Sequence, residues 1–247
     1  MRVELRYLET ARHRVAVLEY EPRRPRGASL VVGHGYSSSK HNLDSLCLFL
    51  AGHGFAVYSL DFPGHKLGAS GGRLEGLDDL IDSMDLVVDH ARARDGGIIY
   101  ALGHSMGASA ALLTAAGDPA IAGVVAIATG IGRLAALDAI GLRGASDLRA
   151  SYVDGLSLPD LLAQVDPRLE PSLAELAGRP QLYVAAERDG MVAPRSVRAL
   201  FEAAPEPKTY QTVPSDHTYA GENARSAVLA WLNALHPRGP GSASPFK

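Results

Sequence analysis

Cysteine is nearly absent from this chain. Its 247 residues include one, Cys47, set in an apolar helical stretch. That excludes an intramolecular disulfide and a thiolate metal cluster, and the residue reads as a buried thiol. Long apolar runs are missing as well, so no segment approaches the length of a membrane-spanning helix. The opening Met1-Arg2-Val3-Glu4-Leu5-Arg6 alternates and carries charge instead of entering the apolar core of a secretory leader. A cytoplasmic location is the expectation from those two absences. Excess charge of one sign is also lacking. The formal net charge of -3 offers no basic face for nucleic acid or an anionic membrane. The nine histidines and the acids show no metal-ligand spacing such as His-Glu-x-x-His, so no metal and no organic cofactor is expected.

What is present suits a globular protein. A hydrophobic fraction of 47% against 21% charged residues is enough for a sizeable core at this length, and one large α/β domain is expected over residues 1–236. Val3/Leu5/Tyr7 and Val15/Val17 alternate, which predicts two antiparallel strands joined near Ala11-Arg12-His13. After the Pro/Arg-rich break at 22–27 the pattern changes. Short apolar strands (29–33, 55–60, 98–102, 121–127, 181–186 and 208–213) now alternate with helical segments. The clearest helix is near 76–94, where Leu77, Leu80, Ile81, Met84, Val88 and Ala91 recur at three- and four-residue spacing. This alternation predicts a mostly parallel sheet of about eight strands with helices on both faces, and ligands beyond the carboxyl ends of its strands. Residues 131–179 interrupt the pattern. They are rich in Leu and Ala, broken by Gly141, Gly144, Gly155, Pro159, Pro167 and Pro171, and are expected to form several short helices as a lid over the site. The turn-rich tail, 237–247, is expected to be disordered.

One motif carries chemistry. Gly103-His104-Ser105-Met106-Gly107 lies between the strand 98–102 and the Ala/Leu-rich run 108–116. Gly-x-Ser-x-Gly between a strand and a helix is a nucleophile elbow, with the serine hydroxyl exposed at the top of a tight turn. Ser105 is therefore the candidate nucleophile. A serine needs a base within hydrogen-bond reach, and the base needs an orienting carboxylate. His217 is the best placed of the histidines, in the loop after the strand 208–213. His104 adjoins Ser105, but neighbours on so tight a turn point apart. His13, His41, His53, His90 and His236 fall away from the predicted strand ends. Asp189, just past the strand 181–186, is the candidate acid, with Glu187 and Asp216 as competitors. Two backbone N–H groups must receive the developing oxyanion: that of Met106, at the start of the helix, and that of Tyr36 in the loop Gly33-His34-Gly35-Tyr36. His34, Gly35 and Tyr36 are the candidate substrate-binding residues.

These residues bring the chain to a family. His34-Gly35-Tyr36, Asp61-Phe62-Pro63-Gly64-His65, the elbow, Glu187-Arg188-Asp189 and Asp216-His217 together resemble the α/β-hydrolase fold, and within it the small esterase and lipase branch. The order Ser, Asp, His is the one that fold uses. The resemblance implies Ser105 as nucleophile, Asp189 as acid, His217 as base, backbone donors at Tyr36 and Met106, and a lid from the inserted segment. The chain departs from it after Gly64-His65, where Lys66-Leu67-Gly68-Ala69-Ser70-Gly71-Gly72 lengthens the loop beside the pocket rim. Asp61, Gly64 and His65 read as structural.

The expectation is a serine carboxylesterase acting on short- to medium-chain acyl esters, with a small-molecule ester as substrate, as a monomer or homodimer. An acylglycerol lipase, an acyltransferase and a cofactor-free perhydrolase are alternatives on the same fold. A dinucleotide-binding oxidoreductase is a remote one. Gly33-x-Gly35-x-x-Ser38 follows a strand and Asp61 ends the next, but the third glycine is missing and the elbow, Asp189 and His217 would go unexplained.

Overall fold

The computed structural model of the chain describes residues 1–139 and 148–237. Eight strands form one sheet in the order β1-β2-β4-β3-β5-β6-β7-β8. They are β1 (Arg2–Glu9), β2 (Arg14–Glu21), β3 (Ala28–Gly33), β4 (Ala56–Leu60), β5 (Ile98–His104), β6 (Gly123–Ile127), β7 (Gln181–Ala186) and β8 (Lys208–Val213). β1 pairs antiparallel with β2, and β2 antiparallel with β4. From β4 onward every neighbour is parallel. The expected mostly parallel sheet of eight strands is what the chain builds.

The sequence explains the layering. β3, β5, β6 and β7 are continuous apolar runs because both of their faces are covered. One face packs under α2 (Leu77–Asp95), α3 (Met106–Gly117), α5 (Leu158–Ser172) and α6 (Pro194–Ala203), in a core that includes Leu80, Met84, Leu112, Leu161 and Leu200. The other lies under α1 (Asp44–Gly52) and α8 (Arg225–Leu235), around Leu46, Leu50, Val228 and Trp231. Cys47 belongs to this second core, where burial pushes its thiol up to about 12. α2 buries Leu77, Leu80, Met84, Val88 and Ala91 of the expected stripe, while Ile81 is only partly buried at its margin.

The chain leaves β3 for β4 on one side and returns through β5 on the other. The crevice beyond β3 and β5 is therefore a topological switch point, where open α/β sheets bind ligands. It places the loop after β3 beside the elbow after β5.

Between β6 and β7 the described residues contain α4 (Arg133–Ala139), a 3-10 turn at Leu148–Tyr152, α5, and another 3-10 turn at Leu173–Leu176. One expectation is corrected here. Pro167 and Pro171 do not break the segment but lie inside the 15-residue α5. A proline within a helix costs about 3 kcal/mol. Burial of Leu158, Leu161, Leu162, Val165 and Leu169 along one side of α5 offsets that cost. Residues 140–147 of the expected lid, and 238–247 of the expected disordered tail, lie outside the described residues. Among those described, no helix is long and apolar enough to cross a membrane.

Candidate active site

Ser105 sits at the turn between β5 and α3 with φ 54° and ψ -114°. A non-glycine residue in this region is strained by about 1–3 kcal/mol, so its surroundings must hold it there. Its N–H donates to the Ile127 carbonyl at 2.8 Å, and its own carbonyl accepts the first bonds of α3 from Ala108 and Ser109. The flanking glycines are demanded by closeness. A Cβ on Gly103 would stand 2.1 Å from the Gly107 carbonyl oxygen, and one on Gly107 would stand 2.2 Å from that of Gly33. Strand, turn and helix are thus pressed together, and the Ser105 hydroxyl points away from them.

His217 lies in the loop after β8, and its Nε2 is 3.0 Å from Ser105 Oγ. Its Nδ1 is 2.7 Å from Asp189 Oδ2, in the loop after β7. A carboxylate only accepts, so Nδ1 carries the proton and Nε2 is free to accept from the serine hydroxyl. The other oxygen of Asp189 accepts the N–H groups of Met191 and Val192, at 2.8 and 2.7 Å. Burial alone would raise the Asp189 pKa, but these bonds and His217 outweigh it and hold the carboxyl below its ordinary range. The competing acids are elsewhere: Glu187 is exposed, and Asp216 Oδ1 accepts the Tyr219 N–H in its own turn.

The loop after β3 closes the other side. Gly35 lies against the elbow, where a Cβ would be 3.5 Å from Ser105 Cβ. Tyr36 is half-buried, and its hydroxyl donates to the Leu156 carbonyl in the segment before α5, at 2.9 Å. Met106 is the first residue of α3, where no carbonyl of the helix can reach its N–H. His34 differs from expectation. It has no exposed surface, its Nδ1 meets the Gly35 carbonyl at 2.8 Å, and its Nε2 accepts the Phe62 N–H at 3.0 Å. It braces the loop from below, out of reach of a substrate.

Four features carried no sequence signal of their role. His104 Nε2 donates to the His217 carbonyl at 2.9 Å, and the two rings pack 4.8 Å apart. Burial, and then the neighbouring His217, push His104 down to about 3, so it is a neutral donor. Lys40 is buried with its ammonium on Asp61 Oδ2 at 2.5 Å, while Asp61 also accepts the N–H groups of Lys40 and Ala69. Asp61 is thereby an internal anchor for two loops. Arg133, at the start of α4, is buried with Nη1 3.5 Å from Thr129 Oγ1. Burial pushes it down to about 10, against the charges of Asp166 and Asp189. Last, the lengthened loop after Gly64 is stitched to the segment before α5. Lys66 N–H donates to Tyr152 O, Asp154 N–H to Gly64 O, Leu74 N–H to Asp154 O and Leu156 N–H to Leu74 O, all at 2.8–2.9 Å. Among the described residues no three of His, Cys, Asp and Glu come together as metal ligands.

Known proteins share this architecture. An esterase domain from Rhodothermus marinus superposes with a TM-score of 0.73 at 20% identity, covering 95% of this chain and 99% of that one. Est1E from Butyrivibrio proteoclasticus, with ferulic acid bound, gives 0.75 at 20% identity over 93% and 98%. An esterase of Pyrococcus furiosus gives 0.76 at 18% identity over 95% and 91%. A search of the curated proteins finds no match. Residues 24–153 match the family described as serine aminopeptidase, S33. That span is more than half of the 247 residues and carries β3, the elbow and Ser105, and the chain belongs to this family of hydrolases with the α/β-hydrolase fold.

Proposed function

We propose that the chain is a serine carboxylesterase that cleaves esters of short- to medium-chain acyl groups. The observation that carries the reading is the run of hydrogen bonds Asp189–His217–Ser105, at 2.7 and 3.0 Å, across the ends of three strands. In this mechanism His217 Nε2 takes the proton of Ser105 Oγ as the oxygen attacks the ester carbonyl. The N–H groups of Tyr36 and Met106 receive the oxyanion, in a site where such donors are worth roughly 3–4 kcal/mol each. Protonated His217 then gives its proton to the departing alcohol, leaving an acyl group on Ser105. Water, deprotonated by the same nitrogen, releases the acid. Asp189 stays ionised throughout and favours the imidazolium that forms twice per turnover. Residues 1–236 act as one domain, with the described residues 131–139 and 148–179 between β6 and β7 serving as a lid.

A second reading is peptide hydrolysis at a free N-terminus, favoured by the description of the family. Both use the same nucleophile and differ in the leaving group. The test is a panel of p-nitrophenyl esters beside aminoacyl p-nitroanilides, with fluorophosphonate labelling of wild type, Ser105→Ala and His217→Ala. Ester turnover and labelling that both vanish in Ser105→Ala are the expected result. Undiminished turnover in Ser105→Ala sinks the mechanism. Turnover of the anilides alone selects the second reading, and labelling without any turnover points to another acyl acceptor.

A further inference from the structure

β1 is an outer strand of the sheet, paired on one side with β2 and on the other with nothing among the described residues. Successive side chains of a strand alternate between faces. On one face β1 carries Val3, Leu5 and Tyr7, which are 45%, 50% and 43% exposed. On the other it carries Arg2, Glu4, Arg6 and Leu8, with Arg6 reaching Glu19 at 2.8 Å. The apolar face lies opposite Tyr20, Leu18 and Ala16 of β2, on the side where the Tyr20 hydroxyl bonds Asp44 at the start of α1. The guanidinium of Arg14 lies 4.3 Å from the centre of the Tyr7 ring. An eight-residue edge with an apolar stripe is what folded proteins ordinarily blunt with charge, proline or a bulge. None of those interrupts Val3–Tyr7 on its apolar face.

We propose that this edge pairs with the same edge of a second copy of the chain, joining two sheets into one about a two-fold axis through Leu5. The argument is self-complementarity. A two-fold axis perpendicular to the sheet keeps side chains on their own face, so the possible registers differ by steps of two residues. With the axis at Leu5, Val3 faces Tyr7 of the other copy and Leu5 faces Leu5. On the opposite face, Glu4 meets Arg6 and Arg6 meets Glu4. Opposite charges at facing positions favour an antiparallel pair, and like charges oppose it. Shifting the axis to Glu4 sets Glu4 on Glu4 and Arg2 on Arg6. Shifting it to Arg6 sets Arg6 on Arg6. An axis at Val3 also sets Arg2 on Glu4 but joins only residues 1–5. The Leu5 register, in which Arg2 faces Leu8, is therefore the longest with complementary central pairs on both faces, and a second copy is the occupant that this pattern matches. The sheet's other outer strand, β8, has the mixed sequence Lys208-Thr209-Tyr210-Gln211-Thr212-Val213 and offers no such stripe.

The test is cross-linking that reads the register, with dimerisation followed by sedimentation. Cys47 is buried, which leaves an introduced thiol as the reactive one. Facing residues of an antiparallel pair have Cα atoms about 4.5–5.5 Å apart, within disulfide reach. Leu5→Cys should therefore form a disulfide-linked dimer under mild oxidation. Val3→Cys alone should not, because the two copies of residue 3 lie four residues apart along the strands, about 13 Å. Mixed Val3→Cys and Tyr7→Cys chains should cross-link with each other. Glu4→Arg should lower the dimer fraction at least tenfold with ester turnover intact, which shows that the chain is folded. Three results overturn the proposal: equal cross-linking at residues 3, 5 and 7, no cross-linking of Leu5→Cys, or a wild type that sediments as a monomer up to about 1 mM. The last would leave the edge to an extended segment of another protein.

Discussion

His104 and His217 are joined ring nitrogen to carbonyl: Nε2 of the residue preceding Ser105 donates to the backbone oxygen of His217 at 2.9 Å. The loop that carries one histidine is thereby fastened to the turn that carries the serine. Removing the donor leaves that carbonyl only the longer bond from the Ala220 N–H, at 3.4 Å, and a lost hydrogen bond of this kind costs about 0.5–1.5 kcal/mol. His104→Phe is expected to lower kcat/KM for an ester by about tenfold, with fluorophosphonate labelling slowed in step. His104→Gln, which keeps an N–H donor, should recover part of that loss. Full activity in the Phe variant would show that the loop holds its place unaided.

Asp189 divides its two oxygens. One faces His217, and the other takes two backbone N–H groups of its own loop. Asp189→Asn can keep the loop bonds through its carbonyl oxygen while presenting an amide to the imidazole. The folded structure should survive and the wrong tautomer should be favoured, lowering kcat by about 10⁴-fold. Circular dichroism and ester kinetics on the same preparation separate the two effects. A loss under about tenfold would remove Asp189 from the mechanism.

Gly107 and Gly117 lie on the same helix in opposite situations. Alanine at 107 would place its Cβ 2.2 Å from the Gly33 oxygen, whereas nothing lies within 4 Å of a Cβ at 117. Gly107→Ala should destabilise by more than about 3 kcal/mol or abolish folding. Gly117→Ala should stabilise by about 0.5–1 kcal/mol, since alanine loses less backbone freedom in a helix. Urea midpoints of both variants against wild type are the check, and two equal shifts would contradict it.

Acid should unfold the protein in two stages. Burial pushes His34 and His104 down to about 3 from an ordinary 6.5. Below pH 6.5 the unfolded chain binds protons that these two rings refuse in the native state, so stability falls as the pH drops from there toward 3. Each contributes a loss on the order of 1 kcal/mol per pH unit, and neither matters above 6.5. Asp61 and Asp189 are held below their ordinary 3.8, against the pull of burial. Their stabilisation is complete above about pH 4 and disappears as the pH falls through the depressed values. Urea denaturation between about pH 7 and pH 4.5 measures the first stage in an Asp85→Asn background. Burial and neighbouring acids push Asp85 up to about 6, so its protonation opposes the trend, while buried His13 and His65 add to it. A flat profile there would mean that these buried rings are protonated in the native state.

Much of this architecture is legible residue by residue. The elbow, the periodic face of α2 and the apolar strands each repeat a local rule: a turn too tight for Cβ atoms, a 3.6-residue stripe, a run covered on both faces. Other features follow no such rule. Lys40 stands in a polar stretch of three serines and nothing periodic marks it for burial; its partner Asp61 is on another strand end. His34 looks like a site residue beside Gly35, yet its ring turns inward to Phe62. Pro167 and Pro171 signal a break, and the apolar side of α5 outweighs them only because a core is there to receive it.

By itself the sequence determined which segments become strands and helices, and that the turn at Ser105 needs glycine on either side, because those outcomes depend on neighbours a few residues apart. Strand-end positions and chain order also singled out His217 and Asp189 as candidates. Only the tertiary structure decided that they, and not Glu187 or Asp216, stand in hydrogen-bonded line with Ser105. His217 is 112 residues from Ser105, and Asp189 is 28 from His217. They meet because parallel strands deliver their carboxyl ends to one edge of the sheet, whatever the length of chain between them. The same packing made His104 a support for His217 and His34 a brace beneath the loop. Such roles belong to contacts between distant segments, which no local pattern records.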